Sequence, residues 1–182
     1  MIKVNIYFND YYKSHESKNL LLRALNSYCI EKNLDIDISK VQIEKGDKGK
    51  PYFLNLDLEF NISHSGEFWA CAISKYPVGI DIQKANKDTY EKISERYYSK
   101  EEDHFVELWG KEGFFSIWVR KEAYAKLYGN SIFETINKVN MVKDGELILK
   151  IGDDKLTEIE IADDIKCAVA SKEDDICIRM IG

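Results

Sequence analysis

Two seven-residue runs of the same texture constrain what this chain can fold into. Phe68-Trp69-Ala70-Cys71-Ala72-Ile73-Ser74 and Ile165-Lys166-Cys167-Ala168-Val169-Ala170-Ser171 both read as strands, and each sits at an equivalent place in its own half of the sequence. A chain that repeats itself this way favours two similar lobes, with a cleft between them as the natural ligand site. Elements alternate as strand, helix, strands, then helices, then strands, which is an α+β pattern. The expected division is residues 1–85 and 86–182. No Pro/Gly/Ser-rich linker separates the halves, so they form one compact unit.

Alternation predicts strands at Ile2–Phe8, Leu58–Ser63, Phe68–Ser74 and Val78–Gln83, the last two as a hairpin around Lys75-Tyr76-Pro77. Leu21, Leu22, Leu25, Tyr28 and Cys29 form an apolar stripe, which predicts a helix over residues 15–32. Residues 88–108 read as helical, interrupted near Ser99. Gly113–Tyr128 is the best helix in the sequence and ends at Gly129-Asn130. Strands are expected again at Glu146–Ile151, Thr157–Ile161, Ile165–Ser171 and Ile176–Met180.

The net charge of −6 lies entirely in residues 86–182, residues 1–85 being neutral. Non-specific nucleic-acid binding is therefore disfavoured, and an anionic ligand needs a local basic cluster. No apolar run approaches the ~20 residues of a membrane span. The N-terminus lacks the apolar core of a signal peptide, so a cytoplasmic location is expected. Cys29, Cys71, Cys167 and Cys177 form no CxxC pair and no Cys/His cluster, which argues against zinc and against a disulfide framework. Cys71 and Cys167 fall inside apolar strands and are expected to be buried free thiols.

Four segments carry chemistry. In Val78-Gly79-Ile80-Asp81-Ile82-Gln83, the strand period puts Asp81 and Gln83 on one face beside Gly79, leaving room for a cation and a phosphate. In the helix, Trp118, Glu122 and Ala125 fall on one stripe. Glu122 is placed to hold a cation, with Lys121 and Lys126 placed to clamp a pyrophosphate. The competing reading is a solvated Glu–Lys surface pair. Asn61-Ile62-Ser63-His64-Ser65-Gly66 offers hydroxyl and imidazole donors, or a simple turn. A serine hydrolase on Ser63 and His64 is disfavoured, because no G-x-S-x-G surrounds either serine. Gly49-Lys50-Pro51 places a lysine in a stiff loop suited to an anion.

Taken in order, Gly-Lys-Pro, Phe-Asn-Ile-Ser-His-Ser-Gly, Pro-Val-Gly-Ile-Asp-Ile and Trp-x-x-Lys-Glu-Ala resemble the Sfp-type 4'-phosphopantetheinyl transferases, most densely over residues 49–128. The resemblance implies the two-lobed fold of that family, with the active site between the lobes. It also implies magnesium-dependent transfer of the 4'-phosphopantetheine group of coenzyme A to a serine of an acyl or peptidyl carrier protein, releasing 3',5'-ADP. By the same resemblance, Asp81 and Glu122 hold the metal, while Lys121 and Lys126 contact the pyrophosphate and transferring phosphate. Lys50 lies near the nucleotide phosphates, and Ser63 and His64 contact the nucleotide and its 3'-phosphate. Glu102, in Tyr98-Ser99-Lys100-Glu101-Glu102, is a general base, and Lys18 takes the place of a coenzyme-binding arginine.

The chain departs from the family twice. Gln83 stands where the family often has a second acid, leaving a neutral oxygen or a held water for the metal. A basic stretch before the first helix is largely absent. Both departures also suit a coenzyme-binding module without catalysis, the alternative reading. A two-lobed chain supplies both halves of its cleft, so a monomer is expected.

Overall fold

The structure, a computed structural model, describes residues 4–85, 89–173 and 175–181. In chain order the elements are β1 (Val4–Asn9), α1 (Ser17–Lys32), a 3-10 turn (Ile38–Lys40), β2 (Ile43–Lys45), β3 (Pro51–Phe53), β4 (Glu59–Ser65), β5 (Phe68–Ser74) and β6 (Val78–Lys84). They continue with α2 (Tyr90–Tyr97), α3 (Lys100–Leu127), α4 (Ile132–Thr135), β7 (Val142–Lys143), β8 (Glu146–Leu147), β9 (Lys150–Ile151), β10 (Asp154–Ala162), β11 (Ile165–Ser171) and β12 (Ile176–Met180).

Two four-stranded sheets organise the molecule, in the orders β12-β1-β5-β4 and β6-β11-β10-β9. The two seven-residue runs of like texture are β5 and β11, each interior to its own sheet. β5 lies between β1 and β4, and β11 lies between β6 and β10, all antiparallel. The fold is the expected mixed α+β pair of lobes, but the lobes exchange strands. β6, expected to close a hairpin with β5, instead pairs with β11 in the second sheet. β12, from the end of the chain, pairs in parallel with β1 in the first. A cut after residue 85 therefore does not separate the two sheets.

Side-chain alternation builds the layers. Val4, Ile6 and Phe8 of β1, with Ala70 and Ala72 of β5, face Val78, Ile80 and Ile82 of β6 and Cys167 and Val169 of β11 across one apolar layer. On the outer face of the first sheet, Tyr7, Trp69, Cys71 and Ile73 meet Leu20, Leu21, Ala24, Leu25 and Tyr28 of α1. On the outer face of the second sheet, Leu156, Ala168 and Ala170 meet Phe114, Phe115, Ile117, Ala123 and Leu127 of α3. The order is helix, sheet, sheet, helix. This explains why all six residues of β1 are buried, although alternation alone suggests one wet face.

The helical region divides at Tyr98-Ser99, as expected, into α2 and α3, and α3 carries a break of its own. α3 starts at the N-cap Ser99 and kinks at Gly110, whose φ of 58° and ψ of −141° leave the helical region. The expected second start at Gly113 is displaced to this kink. Residues 146–151 form two short pieces instead of one strand. Cys29, Cys71 and Cys167 are buried free thiols and Cys177 is half-buried; burial raises the Cys71 and Cys167 pKa. Among the described residues no helix is long and apolar enough to cross a membrane.

Candidate active site

The site lies where the edge of one sheet meets the edge of the other. β6 gives one edge to β11, and among the described residues its other edge has no strand partner. Side chains from β4 take that place. Asn61 Oδ1 accepts the Ile80 N–H at 2.9 Å, Ser63 Oγ accepts the Ile82 N–H at 3.3 Å, and Ser65 Oγ accepts the Lys84 N–H at 2.9 Å. Residues 61, 63 and 65 share one face of β4 by the strand period, so the three bonds repeat along one seam. Buried backbone donors need partners, and here polar side chains supply them. Asn61 and Ser65 were not among the expected site residues, and the Asn-x-Ser-x-Ser alternation was the available signal.

Asp81 sits at the middle of the seam and is 1% exposed. Its Oδ1 accepts Ser63 Oγ–H at 2.7 Å and Lys126 Nζ at 2.6 Å, and its Oδ2 accepts Gln83 Nε2 at 3.1 Å. Lys126 also reaches Ser63 Oγ at 3.0 Å. A buried carboxylate costs several kcal/mol unless it is paired and hydrogen-bonded, and these contacts meet that demand. Glu122 lies one helical turn before Lys126, on the same side of α3, and is partly buried. The Tyr98 hydroxyl is raised well above its usual range by burial, then by the nearby charges of Glu102 and Glu122. The structure thus brings Ser63, Asp81, Gln83 and Lys126 together, with Glu122 on the adjoining turn of α3.

Gly79 has a different reason from the one expected. The space beside it is filled by α3. A Cβ at residue 79 would lie 2.0 Å from the Ala123 carbonyl oxygen and 2.5 Å from the Leu127 nitrogen. The glycine lets helix backbone rest on strand backbone, which holds Lys126 close to Asp81.

Two expected catalytic residues, Lys121 and Glu102, are bonded to each other. Lys121, 0% exposed, pairs with Glu102 at 2.8 Å and donates to the Ile136 carbonyl at 2.7 Å and to the Val139 carbonyl. Burial lowers the pKa of its ammonium group, against the pull of Glu102. Glu102, 1% exposed, closes the capping box with Ser99 and accepts the Met141 N–H at 2.7 Å. All these partners belong to the C-terminal half, so the pair ties α3 to residues 136–141. In the structure Glu102, expected as a general base, and Lys121, expected on the phosphates, are therefore both buried and bonded to each other and to backbone.

The proposed nucleotide contacts divide similarly. Lys50 Nζ donates to the Val78 carbonyl at 3.1 Å and to the Leu127 carbonyl at 3.0 Å, clamping β6 to the end of α3. Burial lowers its pKa, and a cation at a helix C-terminus is favoured by the peptide dipoles. A cavity of about 240 Å³ opens beside it, lined by Lys48, Lys50, Asn61, Ile62, Lys126 and Asn130, with Lys48 Nζ donating to Asn130 at 2.7 Å. His64 is exposed on the opposite face of β4 from Ser63, its ring 5.0 Å from that of Tyr12. Lys18 is exposed in the first turn of α1; a larger groove of about 1070 Å³ beside it is lined instead by Lys13, Asn19 and Arg23, among others.

Asp81, Glu122 and Gln83 offer only hard oxygen ligands, the kind magnesium takes. Among the described residues no group of three or more His, Cys, Asp or Glu could hold a metal ion. The donor set, two carboxylates and one amide, fits magnesium in kind.

Residues 77–170 match the 4'-phosphopantetheinyl transferase superfamily, and residues 7–76 match the N-terminal family of 4'-phosphopantetheinyl transferases. The 4'-phosphopantetheinyl transferase gsp of Aneurinibacillus migulanus is 37% identical over 110 residues, covering 57% of this chain and 45% of that protein. The 4'-phosphopantetheinyl transferase Sfp of Bacillus subtilis (strain 168) is 30% identical over 152 residues, covering 79% and 66%. A further 4'-phosphopantetheinyl transferase from Bacillus subtilis is 27% identical over 180 residues, covering 92% and 79%. The chain thus spans less than two-thirds of the length of the first two relatives.

Proposed function

This chain belongs to the 4'-phosphopantetheinyl transferase superfamily, and from that premise we propose that it moves the 4'-phosphopantetheine arm of coenzyme A to a serine hydroxyl of an acyl or peptidyl carrier protein. The observation that carries the reading is the seam itself. Asp81 from the second sheet lies 2.6 Å from Lys126, with Glu122 one turn away and the Lys48–Lys50 cavity adjoining.

Asp81, Glu122 and Gln83 are the groups that would hold magnesium. Bound there, it supplies neutralisation of the diphosphate charge as the leaving group departs. Lys126, beside Asp81 and lining the cavity, supplies positive charge to a phosphate oxygen. Lys48 and Lys126 meet the nucleotide end in the cavity, while Lys50 keeps its wall rigid. The carrier serine oxygen bonds to the β-phosphorus in line. The bond from that phosphorus to the bridging oxygen breaks, and 3',5'-ADP leaves with the electron pair. The hydroxyl proton passes to Glu122 through a water, since Glu102 is fully engaged elsewhere. Both sheets framing the seam come from one chain, so a monomer suffices.

The test is the mass of several acyl and peptidyl carrier proteins after incubation with this chain, coenzyme A and magnesium. A gain of one phosphopantetheine is the expected result. Coenzyme binding with every carrier left unmodified would instead identify a binding module.

A further inference from the structure

Trp118, Glu122 and Lys126 follow one another at i, i+4 spacing along one stripe of α3. The stripe has a direction. Its Lys126 end meets Asp81 at 2.6 Å and lines the cavity shared with Lys48, Lys50 and Asn130. Glu122 lies one turn nearer the helix start, about 6 Å along the axis, and Trp118 one turn beyond it. On the turn before, Phe114 and Phe115 are each 1% exposed, whereas Trp118 is partly exposed. Packed rings fix the indole. It lies 5.7 Å from the Phe114 ring at 26°, and Phe114 lies 5.3 Å from the Tyr98 ring at 19°. The charge of Glu122 acts on the Tyr98 hydroxyl, so this three-ring stack stands beside that carboxylate.

We propose that Trp118 is a binding residue for the pantetheine arm of coenzyme A, its indole forming the wall along which the arm leaves the diphosphate. The proposal rests on the functional reading above, because that reading sets which end of the ligand lies at Lys126. With the nucleotide in the Lys48–Lys126 cavity and the diphosphate at Asp81, Lys126 and Glu122, the same line continues to Trp118. The stripe changes character where the ligand does. Lys126 and Glu122 serve the charged diphosphate and its metal, and the uncharged arm, which begins with a gem-dimethyl carbon, meets an aromatic face. A ring already held by Phe114 loses little freedom on binding. Roughly 55 Å² of apolar surface kept from water corresponds to about 10-fold in affinity.

The experiment measures binding of coenzyme A and of 3',5'-ADP, which lacks the arm, by titration calorimetry in magnesium. Wild type, Trp118→Leu and Trp118→Phe are compared. Trp118→Leu is expected to lose about 10-fold in affinity for coenzyme A and to keep its affinity for 3',5'-ADP. Trp118→Phe, which keeps an aromatic face, is expected to lose less, again for coenzyme A alone. If Trp118→Leu fails to fold, the Trp118→Phe comparison decides, and a loss confined to coenzyme A is still required. Equal losses for the two ligands would overturn the proposal, since they would make Trp118 a packing residue only. Unchanged affinity for coenzyme A would also overturn it, and a raised KM for the carrier protein in that case would put the indole on the carrier. Wild type that binds neither ligand would overturn the proposal and the functional reading together. Wild type that binds coenzyme A but loads no carrier would refute the functional reading alone, and the two-ligand comparison would still decide the role of Trp118.

Discussion

Substituting Gly79 by Ala tests the contact that holds the site together. The added Cβ would lie 2.0 Å from the Ala123 oxygen, and ordinary contact begins near 3.4 Å, so strand and helix must part by about 1.4 Å. The 2.5 Å approach to the Leu127 nitrogen blocks a sideways escape. Both obstructing groups are backbone, so no rotamer change relieves them. Overpacking typically costs about 1–3 kcal/mol, and a backbone clash belongs at the upper end. For a chain of this size about 3 kcal/mol lowers Tm by roughly 6–12 °C. The same displacement carries Glu122 and Lys126 away from Asp81, and misplacement by about 1 Å can cost about 100-fold in rate. Thermal unfolding by circular dichroism and carrier loading by mass spectrometry measure the two effects. A Gly79→Ala protein within about 2 °C of wild type and with full activity would show that β6 and α3 do not approach this closely.

Asp81→Asn and Glu122→Gln are each expected to abolish carrier loading with the circular dichroism spectrum unchanged; loading near the wild-type rate in either would remove the metal assignment. Glu102→Gln leaves Lys121 charged and buried without its counter-ion, a loss of about 3–5 kcal/mol, so Tm should fall while loading per folded molecule stays within a few-fold. A stable Glu102→Gln protein without activity would return Glu102 to the role of base. Gln83→Glu restores a charge beside Asp81, and tighter Mn²⁺ binding by titration is the expected result; weaker binding would mean the site depends on a neutral group there.

Most strands and helices were legible because local alternation and helical periodicity specify them directly. The partner of β6 was not. Consecutive strands pair or neighbour about two-thirds of the time, and Lys75-Tyr76-Pro77 looks like a hairpin turn. Two face requirements decide against that pairing. Val78, Ile80 and Ile82 must join the layer between the sheets, while Gly79 must meet α3. Alternation says which residues share a face and nothing about which sheet that face belongs to. Glu102 is a different case, because its signal was in the sequence. Ser99-Lys100-Glu101-Glu102 has the spacing of a capping box, and the structure forms one. The Lys121 pairing was illegible, since it joins residues 19 apart across the kink at Gly110.

The polar residues of β4 show why sequence reading stops short at this site. Asn, Ser and Ser at alternate positions suggest a turn or a ligand loop, since these residues often compete with regular structure. Within a strand the same side chains do what a neighbouring strand would do, accepting N–H groups from β6 at three successive alternate positions. Main-chain pairing in that place would bring β4 and β6 to strand spacing, about 4.8 Å apart. Side chains set a wider separation and leave Asp81 reachable from α3. A seam built from side chains therefore joins the lobes and opens the space for Lys126 in one arrangement. Substituting Asn61 should accordingly disturb both stability and coenzyme binding, whereas loss of His64, on the far face of β4, should spare the seam.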